Sequence, residues 1–344
     1  MKIKTKELKN ALSKLNKLIG SNSIMEICNY VELMVNEKRL IMTVTDKTYT
    51  ITARIDIEDD QEITKIVSGK KLVKLIKSTT ADEVVFNFKD SYLEIKGNGR
   101  YKLEYYTEGF PSYEIEPEQV LDVDTEEFKT ILHKHKGTPS DNLDTPVLTG
   151  YYIGDEVLSL DGTKMALTRD KLLNKELLIP ADLVKLVDLF DTENMKIMVD
   201  DNKLLFDSDN LTIFGSQLYG ISDFPDLTVY KEIEYNSYCD VDTNKLANVL
   251  SRVEIFANPM DSNGARLEFD GKTLIISDVE NKSEEELEVE GKGSFDCKVV
   301  IDDLILFNKN ATSDKVRILC DDEARALCLR DDITDYFTGK LAEA

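Results

Sequence analysis

The chain has 344 residues, with 43 Lys and Arg against 66 Asp and Glu, and a formal charge of -23. That excludes a uniformly basic nucleic-acid binder. It does not exclude one whose cations are gathered on one surface, because local potential governs encounter. Apolar residues make up 42% of the chain, enough for packed cores, and the length exceeds the ~250–300 residues at which one core stops growing, so two or three domains are expected.

No apolar run approaches the ~20 residues that span a bilayer. The opening Met1-Lys2-Ile3-Lys4-Thr5-Lys6 lacks an apolar signal core, so a cytoplasmic protein without membrane attachment is expected. Cys28, Cys239, Cys297, Cys320 and Cys328 form a scattered, odd set without a CxxC pair. They read as buried free thiols in a reducing compartment. His133 and His135 are the only histidines and there is no Trp, which leaves little for a hydrolase or a metal enzyme.

In chain order, a helix is predicted over about Thr5 to Ile19, with Leu8, Leu12, Leu15 and Ile19 on one face. Period-two stretches follow at Val31, Leu33, Val35, then Leu40, Met42, Val44, then Ile51, Ala53, Ile55, and predict half-buried strands. A second helix covers about Lys70 to Lys77. Strands at Val84 to Phe88, Tyr92 to Ile95 and Tyr101 to Tyr105 are divided by Lys89-Asp90 and Gly97-Asn98-Gly99 turns. Next, Asp122-Val123-Asp124-Thr125 precedes a helical pattern at Phe128, Ile131 and Leu132. Pro180-Ala181-Asp182 opens another helix, with turns at Asp201-Asn202 and Asp209-Asn210. Last, Asp240-Val241-Asp242-Thr243 precedes Leu246, Val249, Leu250 and Val253. Strands at Val316 to Leu319 and Ala326 to Leu329 close the chain.

These elements recur. Asp-Val-Asp-Thr appears twice, and Ile3, Thr5 and Leu8 fit the same frame at the start. Leu72-Val73-Lys74-Leu75 returns as Leu183-Val184-Lys185-Leu186 and, more distantly, as Asp303-Leu304-Ile305-Leu306. Gly109-Phe110-Pro111 returns as Asp223-Phe224-Pro225. Phe110 to Phe224 is 114 residues, Leu72 to Leu183 is 111, and Leu183 to Leu304 is 121. Landmarks in one order at one spacing mean a whole domain written three times, since solenoid units run only ~20–50 residues. Connections at Glu114 to Glu118 and Glu232 to Ser237 place the domains at 1–118, 119–237 and 238–344.

Positive charge recurs on equivalent helices. Lys6, Lys9 and Lys17 share one stripe. Lys70, Lys74 and Lys77 sit at i, i+4, i+7, as do Lys129, His133 and Lys136, and Lys245 and Arg252 flank Asn248. Any one stripe alone reads as a solvated helix face. Repeated across three copies of an acidic chain, the stripes suggest a surface that attracts phosphate without reading bases.

At this point the sequence resembles the bacterial-type DNA polymerase sliding clamp, the beta subunit of DNA polymerase III, over essentially its whole length. The residues that carry the resemblance are the triplicated unit, Leu160-Asp161-Gly162-Thr163-Lys164-Met165-Ala166-Leu167, Phe110-Pro111, Phe224-Pro225, Arg252-Val253-Glu254-Ile255-Phe256-Ala257-Asn258, Gly264-Ala265-Arg266-Leu267 and Glu284-Glu285-Glu286-Leu287-Glu288-Val289. Its divergence suggests a phage or low-GC bacterial lineage.

The resemblance implies an α+β fold of three clamp domains, each with two helices inside and antiparallel sheets outside. Two chains would close head to tail into a ring around duplex DNA and tether the polymerase. No cofactor or metal is implied. The partners implied are double-stranded DNA, a second copy, and polymerase and clamp loader through short peptide motifs. The subunit interface maps to Lys74, Arg100, Tyr101, Lys102 and Leu103 on one side, and to Ile255, Phe256, Glu284, Glu286, Leu287 and Glu288 on the other. Opposite charges beside an apolar seam favour that pairing. The partner-peptide pocket maps to Ile153, Leu160, Gly162, Thr163, Lys164 and Met165, with Val229 or Tyr230 a looser match, and to the chain end, where Phe337 and Leu341 keep apolar character. The tail departs from the family's Met-Pro-Met-like stretch and continues past it to Glu343 and Ala344.

Other readings fare worse. Leu160-Asp161-Gly162-Thr163 is similar to the Asp-x-Asp-Gly-Thr loop of haloacid-dehalogenase-like phosphotransferases, but Ser159 stands where their nucleophilic carboxylate belongs. Gly69-Lys70 lacks the rest of a phosphate loop. His133 and His135 are expected on different faces of a helix, and Asp302-Asp303 and Asp321-Asp322 lack calcium-loop spacing. No catalytic centre is expected. An acidic scaffold or DNA mimic that binds basic partners is the alternative, and it would not need the lysine stripes. A two-copy eukaryotic-type clamp does not fit three repeats per chain.

Overall fold

The computed structural model describes residues 1–22, 24–59, 61–258, 263–321 and 325–342. Asp322 of the second acidic doublet, and Glu343 and Ala344 of the tail, lie outside the described residues. One element order recurs three times, with one strand, β21, added in the third. The first pass is β1 (Lys2–Lys4), α1 (Thr5–Leu15), β2 (Tyr30–Asn36), β3 (Arg39–Thr45), β4 (Thr50–Asp56), β5 (Ile63–Ser68), α2 (Gly69–Ser78), β6 (Glu83–Phe88), β7 (Tyr92–Lys96) and β8 (Arg100–Tyr106). The second is β9 (Gln119–Asp124), α3 (Thr125–Lys134), β10 (Gly150–Ile153), β11 (Val157–Leu160), β12 (Lys164–Thr168), β13 (Leu177–Pro180), α4 (Ala181–Val187), β14 (Asn194–Asp200), β15 (Lys203–Asp207) and β16 (Leu211–Ser216). A short helix α5 (Thr228–Lys231) precedes the third pass. That pass is β17 (Ser237–Asp242), α6 (Thr243–Val253), β18 (Gly264–Phe269), β19 (Thr273–Asp278), β20 (Glu284–Glu288), β21 (Glu290–Lys292), β22 (Phe295–Val300), α7 (Ile301–Asn310), β23 (Lys315–Cys320), β24 (Ala326–Asp331) and β25 (Thr334–Gly339).

The copies agree in detail. The Thr that opens each first helix donates its N–H to the carbonyl just before a returning strand: Thr5 to Asp82, Thr125 to Glu193 and Thr243 to Asp314, at 2.8, 3.0 and 2.9 Å. Two residues earlier, Ile3, Val123 and Val241 pair across the ladder with Val84, Met195 and Val316. The recurring Asp-Val-Asp-Thr is thus a strand end, a cap and a helix start. Asp242 accepts the Lys245 N–H at 2.9 Å and caps α6.

By compactness the chain forms two units. One comprises 1–126 and 182–217, the other 127–181 and 218–344. The first holds a sheet in the order β1-β6-β7-β8-β5-β2-β3-β4-β16-β15-β14-β9. Helices α1 and α2 pack side by side, and the Lys9 ammonium reaches the Thr79 carbonyl at 2.7 Å. The second holds β13-β10-β11-β12-β25-β24-β23-β17-β21 and a four-stranded β20-β19-β18-β22. Its β12–β25 ladder has two different faces. Ala166 and Tyr336 join the core under α6 and α7, while Met165 and Phe337 face an outer apolar cluster with Leu160 and Leu227.

Three expectations shift. Helix α1 stops at Leu15, so Lys17 sits in the following turn, and α3 stops at Lys134, so His135 and Lys136 lie beyond it. Strand β5, which lacks a clean alternation, completes the first sheet. All five cysteines are buried and free.

A polar layer is buried where α3 ends. His135 has no exposed surface, and its Nδ1 meets the Ser159 hydroxyl at 2.8 Å and its Nε2 the Thr168 hydroxyl at 2.9 Å. Thr168 in turn meets Thr334 at 2.8 Å. Beside it, Lys134 donates to Asp331 at 2.5 Å and to Thr312 at 2.7 Å, and the Thr312 and Ser313 N–H groups also point at Asp331. Burial, aided by the Lys134 charge, lowers the His135 pKa to about 3. The unfolded value is near 6.5, so unfolded chain binds the extra proton between those limits. The stability from neutral His135 is complete above pH about 6.5 and drains as pH falls toward 3. Urea midpoints should therefore show wild type losing at most about 1.4 kcal/mol per pH unit relative to His135→Gln over that window; parallel profiles would count against the buried neutral imidazole. Lys134→Met leaves Asp331 buried without its cation and should cost about 3–5 kcal/mol by the same measurement.

Candidate functional site

The basic stripes are real surface features but unequal ones. In the first unit, Lys6, Lys17, Lys70, Lys74 and Lys77 are exposed, and Lys9 is half-buried, its ammonium held at the carbonyl end of α2. That is where a helix dipole favours a cation. Lys70 lies over Gly20, just past α1, while Lys9 lies at Thr79, past α2. The two helices therefore run antiparallel, and their lysines share one pair of helices. In the second unit His133, Lys136, Lys245 and Arg252 are exposed and Lys129 is half-buried. Arg252 is already engaged: Nε and Nη2 donate to Glu285 on β20 at 2.5 and 2.8 Å. The guanidinium of this residue, expected on the DNA-facing stripe, turns to a sheet edge. The second helices of the later copies carry no stripe. Lys185 of α4 is paired with Asp182 at 2.7 Å, and α7 begins Asp302-Asp303 with Lys309 at its far end.

A cleft of about 350 Å³ in the second unit gathers most of the expected pocket residues. Leu160, Met165 and Phe337 form its floor with Leu227, and Tyr230 stands edge-on to Phe337 at 5.5 Å between ring centroids. The β11–β12 hairpin makes one wall. Asp161 Oδ1 accepts the Thr163 and Lys164 N–H groups at 2.8 and 2.9 Å, and Gly162 takes φ +100, a backbone shape that other residues rarely hold. The Lys164 ammonium sits between Asp161 and Asp303, 3.9 Å from the latter. Burial holds the Asp303 carboxyl above its ordinary range although the Thr338 hydroxyl donates to it at 2.7 Å. The chain end makes the other wall, tied down by N–H bonds from Gly339 to the Thr163 carbonyl, Lys340 to Arg325 and Leu341 to Lys298, at 3.0, 2.9 and 2.8 Å.

Two expected pocket residues are misplaced. Ile153 is fully buried in β10 and does not line the cleft, because its alternation points it into the core. Val229 is 72% exposed on α5 and turned away; its neighbour Tyr230 lines the cleft. Sequence reading missed Leu227, Val300, Asp303, Arg325, Ala326, Thr338, Gly339 and Lys340. Of these, Thr338 was reachable, since Phe337 in a strand places its neighbours along one ladder.

Among the strand edges left open in the described residues are those of β8 and β20. β8 pairs along β7, but on its other side β5 meets only Tyr105 and Tyr106, which leaves Arg100 to Glu104 unpaired there. Arg100, Tyr101 and Lys102 are exposed, and Lys102 rests over the Tyr92 ring at 4.5 Å. Leu103 was expected at a surface seam, but only 7% of it is exposed; it packs inward opposite Leu93. β20 pairs with β19 alone. Its Glu284, Glu286 and Glu288 are exposed, while Leu287 is half-buried against the core. Just past α6, Ile255 and Phe256 are 76% and 47% exposed.

Ser159 and His135 have the spacing of a nucleophile and base, but both are fully buried and the imidazole binds a proton only near pH 3. Such a pair cannot meet a substrate or take up its proton near neutrality. Among the described residues no group of three or more His, Cys, Asp or Glu is placed to hold a metal ion, and no helix is long and apolar enough to cross a membrane.

Residues 1–116 match the family model of the DNA polymerase III beta subunit, N-terminal domain. A search of curated proteins finds no match. Among solved structures, the chain is similar to a DnaN sliding clamp (DNA polymerase III subunit beta) from Pseudomonas aeruginosa bound to griselimycin, with a TM-score of 0.90 at 18% identity over 100% of this chain and 99% of that one. It is likewise similar to the DNA polymerase III beta subunit of Thermotoga maritima, TM-score 0.87 at 15% identity, and to the DNA polymerase sliding clamp of Bacillus subtilis, TM-score 0.89 at 15% identity, each covering 100% of this chain and 99% of the other. The chain therefore has the bacterial sliding-clamp fold, and its first 116 residues match the N-terminal domain model of the DNA polymerase III beta subunit.

Proposed function

We propose that the chain is a DNA polymerase processivity factor: a ring of two copies that encircles duplex DNA without reading its sequence and tethers a polymerase and a clamp loader through the cleft at Met165 and Phe337. Each chain contributes three clamp domains, 1–118, 119–237 and 238–344. It works by topological linkage and carries out no chemistry of its own.

The observation that carries this reading is a pairing rule. The fourth strand of the first copy, β4, pairs antiparallel with the last strand of the second, β16. In the next copy β12 pairs in the same way with β25. By that rule β20 takes a last strand too, and the last strand left with an open edge is β8 of another chain. The charges agree, for exposed Glu284, Glu286 and Glu288 would meet Arg100 and Lys102, with Tyr101, Ile255 and Phe256 as the apolar seam. A heterologous contact that closes yields a cyclic dimer and removes both bare edges. Lysines on α1 and α2, with Lys129, His133, Lys136 and Lys245, would then supply weak, mobile phosphate contacts inside an acidic shell. The cleft suits a short extended peptide with apolar anchors, held between the hairpin and the tied-down tail. An acidic scaffold would need neither the stripes nor the matched edges.

Ile255→Glu with Phe256→Glu should give folded monomers by analytical ultracentrifugation, since buried apolar anchors at an interface are each worth about 2 kcal/mol or more. An unchanged dimer would refute the seam. Charge reversal at Lys70, Lys74 and Lys77 should weaken DNA association most at low salt, and lower the slope of log K against log salt by about 1 for each lysine that meets a phosphate. An unaltered slope would remove α2 from the DNA surface. Loaded protein should stay on circular duplex and leave once the circle is cut. Equal retention on both forms would defeat topological linkage.

A further inference from the structure

Arg252 makes a specific contact within the chain. It projects from the last turn of α6 and grips Glu285 with two parallel bonds, Nε to Oε1 at 2.5 Å and Nη2 to Oε2 at 2.8 Å. Such forks fix direction as well as distance. The two side chains remain 53% and 30% exposed, and pairs of that kind add little to fold stability. What the fork joins is more telling. Glu285 sits on β20, an edge strand held on one side by β19 alone, and on the opposite face from exposed Glu284, Glu286 and Glu288. Three and four residues past Arg252, in the turn that follows the same helix, stand Ile255 and Phe256. The fork therefore ties an acidic bare edge to an exposed apolar pair that the chain itself leaves uncovered.

We infer that Arg252 and Glu285 are a positioning pair for self-association, which sets the end of α6 against β20 so that one incoming basic edge strand meets the acidic ladder and the apolar pair together. This rests on the ring reading above and names a regulator of its closing surface. The occupant is a second copy, because an open edge of complementary charge is Arg100 to Glu104 of this same chain. Holding the two halves in place before contact removes an ordering cost that association would otherwise carry. The fork also takes Arg252 away from phosphate, so α6 offers Lys245 to DNA and spends its second cation on the edge.

The test is sedimentation equilibrium of the full chain over a concentration series, with melting temperature followed in parallel. The set is wild type, Arg252→Gln, Glu285→Gln, the Arg252→Glu/Glu285→Arg exchange and a charge-reversed single, Arg252→Glu. Each Gln variant should weaken dimerisation about tenfold at an unchanged melting temperature of the dissociated chain, Arg252→Glu should weaken it further, and the exchange should recover most of the loss, the signature of direct coupling in a double-mutant cycle. Gln variants that dimerise like wild type overturn the inference, as does an exchange no better than Arg252→Glu. A lower melting temperature of the dissociated chain, measured at concentrations below the dimer constant, marks a merely structural pair and overturns it as well. A wild-type chain that is monomeric throughout overturns the ring reading and this inference with it, whereas a wild-type dimer indifferent to Arg252 overturns this inference alone.

Discussion

Backbone groups at a sheet edge must find partners, and this architecture is arranged around that demand. Each copy of the repeat ends in a strand whose outer side lies open, and an earlier strand of the preceding copy answers it: β16 joins β4, and β25 joins β12. The ladders are hydrogen-bonded over several residues and flanked by buried side chains, so they are structural and not incidental. With three copies, one such pairing is left without a partner at each end of the series. The bare β20 and the half-bare β8 are that remainder. Exposed edges of this kind usually carry charge that discourages pairing. Here the charges are opposite on the two edges, which discourages like-with-like contact and permits one heterologous pairing.

The same ladder organises the cleft. Because side chains alternate along β12 and β25, one face of the pair supplies Ala166, Tyr336, Thr168 and Thr334 to the interior and the other supplies Met165 and Phe337 to the surface cluster. Packing beneath α7 and His135 fixes the ladder, and the ladder fixes the cleft floor. The Asp161 turn and the three N–H bonds of the tail then set the walls. The cleft is therefore preformed, which lowers the ordering cost of whatever would bind there.

Charge is distributed as unevenly as the fold is regular. In a chain of -23, α2 presents Lys70, Lys74 and Lys77 to solvent, while the lysine of α4 is paired with Asp182 and the first turn of α7 carries two aspartates. Repetition of a backbone does not impose repetition of its surface, because surface residues are free of the packing constraints that hold Ile3, Val123 and Val241 in register. The acidic remainder of the molecule repels nucleic acid, so a few cations on one surface suffice to bias where a duplex would sit.

The order of helices and strands, the threefold recurrence and the buried faces were legible in the sequence, because period-two and helical spacing of Leu, Val and Ile are dictated by which side of an element meets the core. The hairpin around Asp161-Gly162 and the apolar character of Phe337 and Leu341 were legible for the same local reasons. Tertiary structure decided the rest. Ile153 and Leu103 read as surface contacts but point inward, since alternation does not say which of two faces is covered. Tyr230, and not Val229, enters the cleft because the turn of α5 sets its side. Arg252 looked like one more cation on a stripe until Glu285, 33 residues away in sequence, came within bonding distance. Periodicity records what a residue does to its own segment, while its partner across the fold depends on which segments meet, and that is settled only by packing.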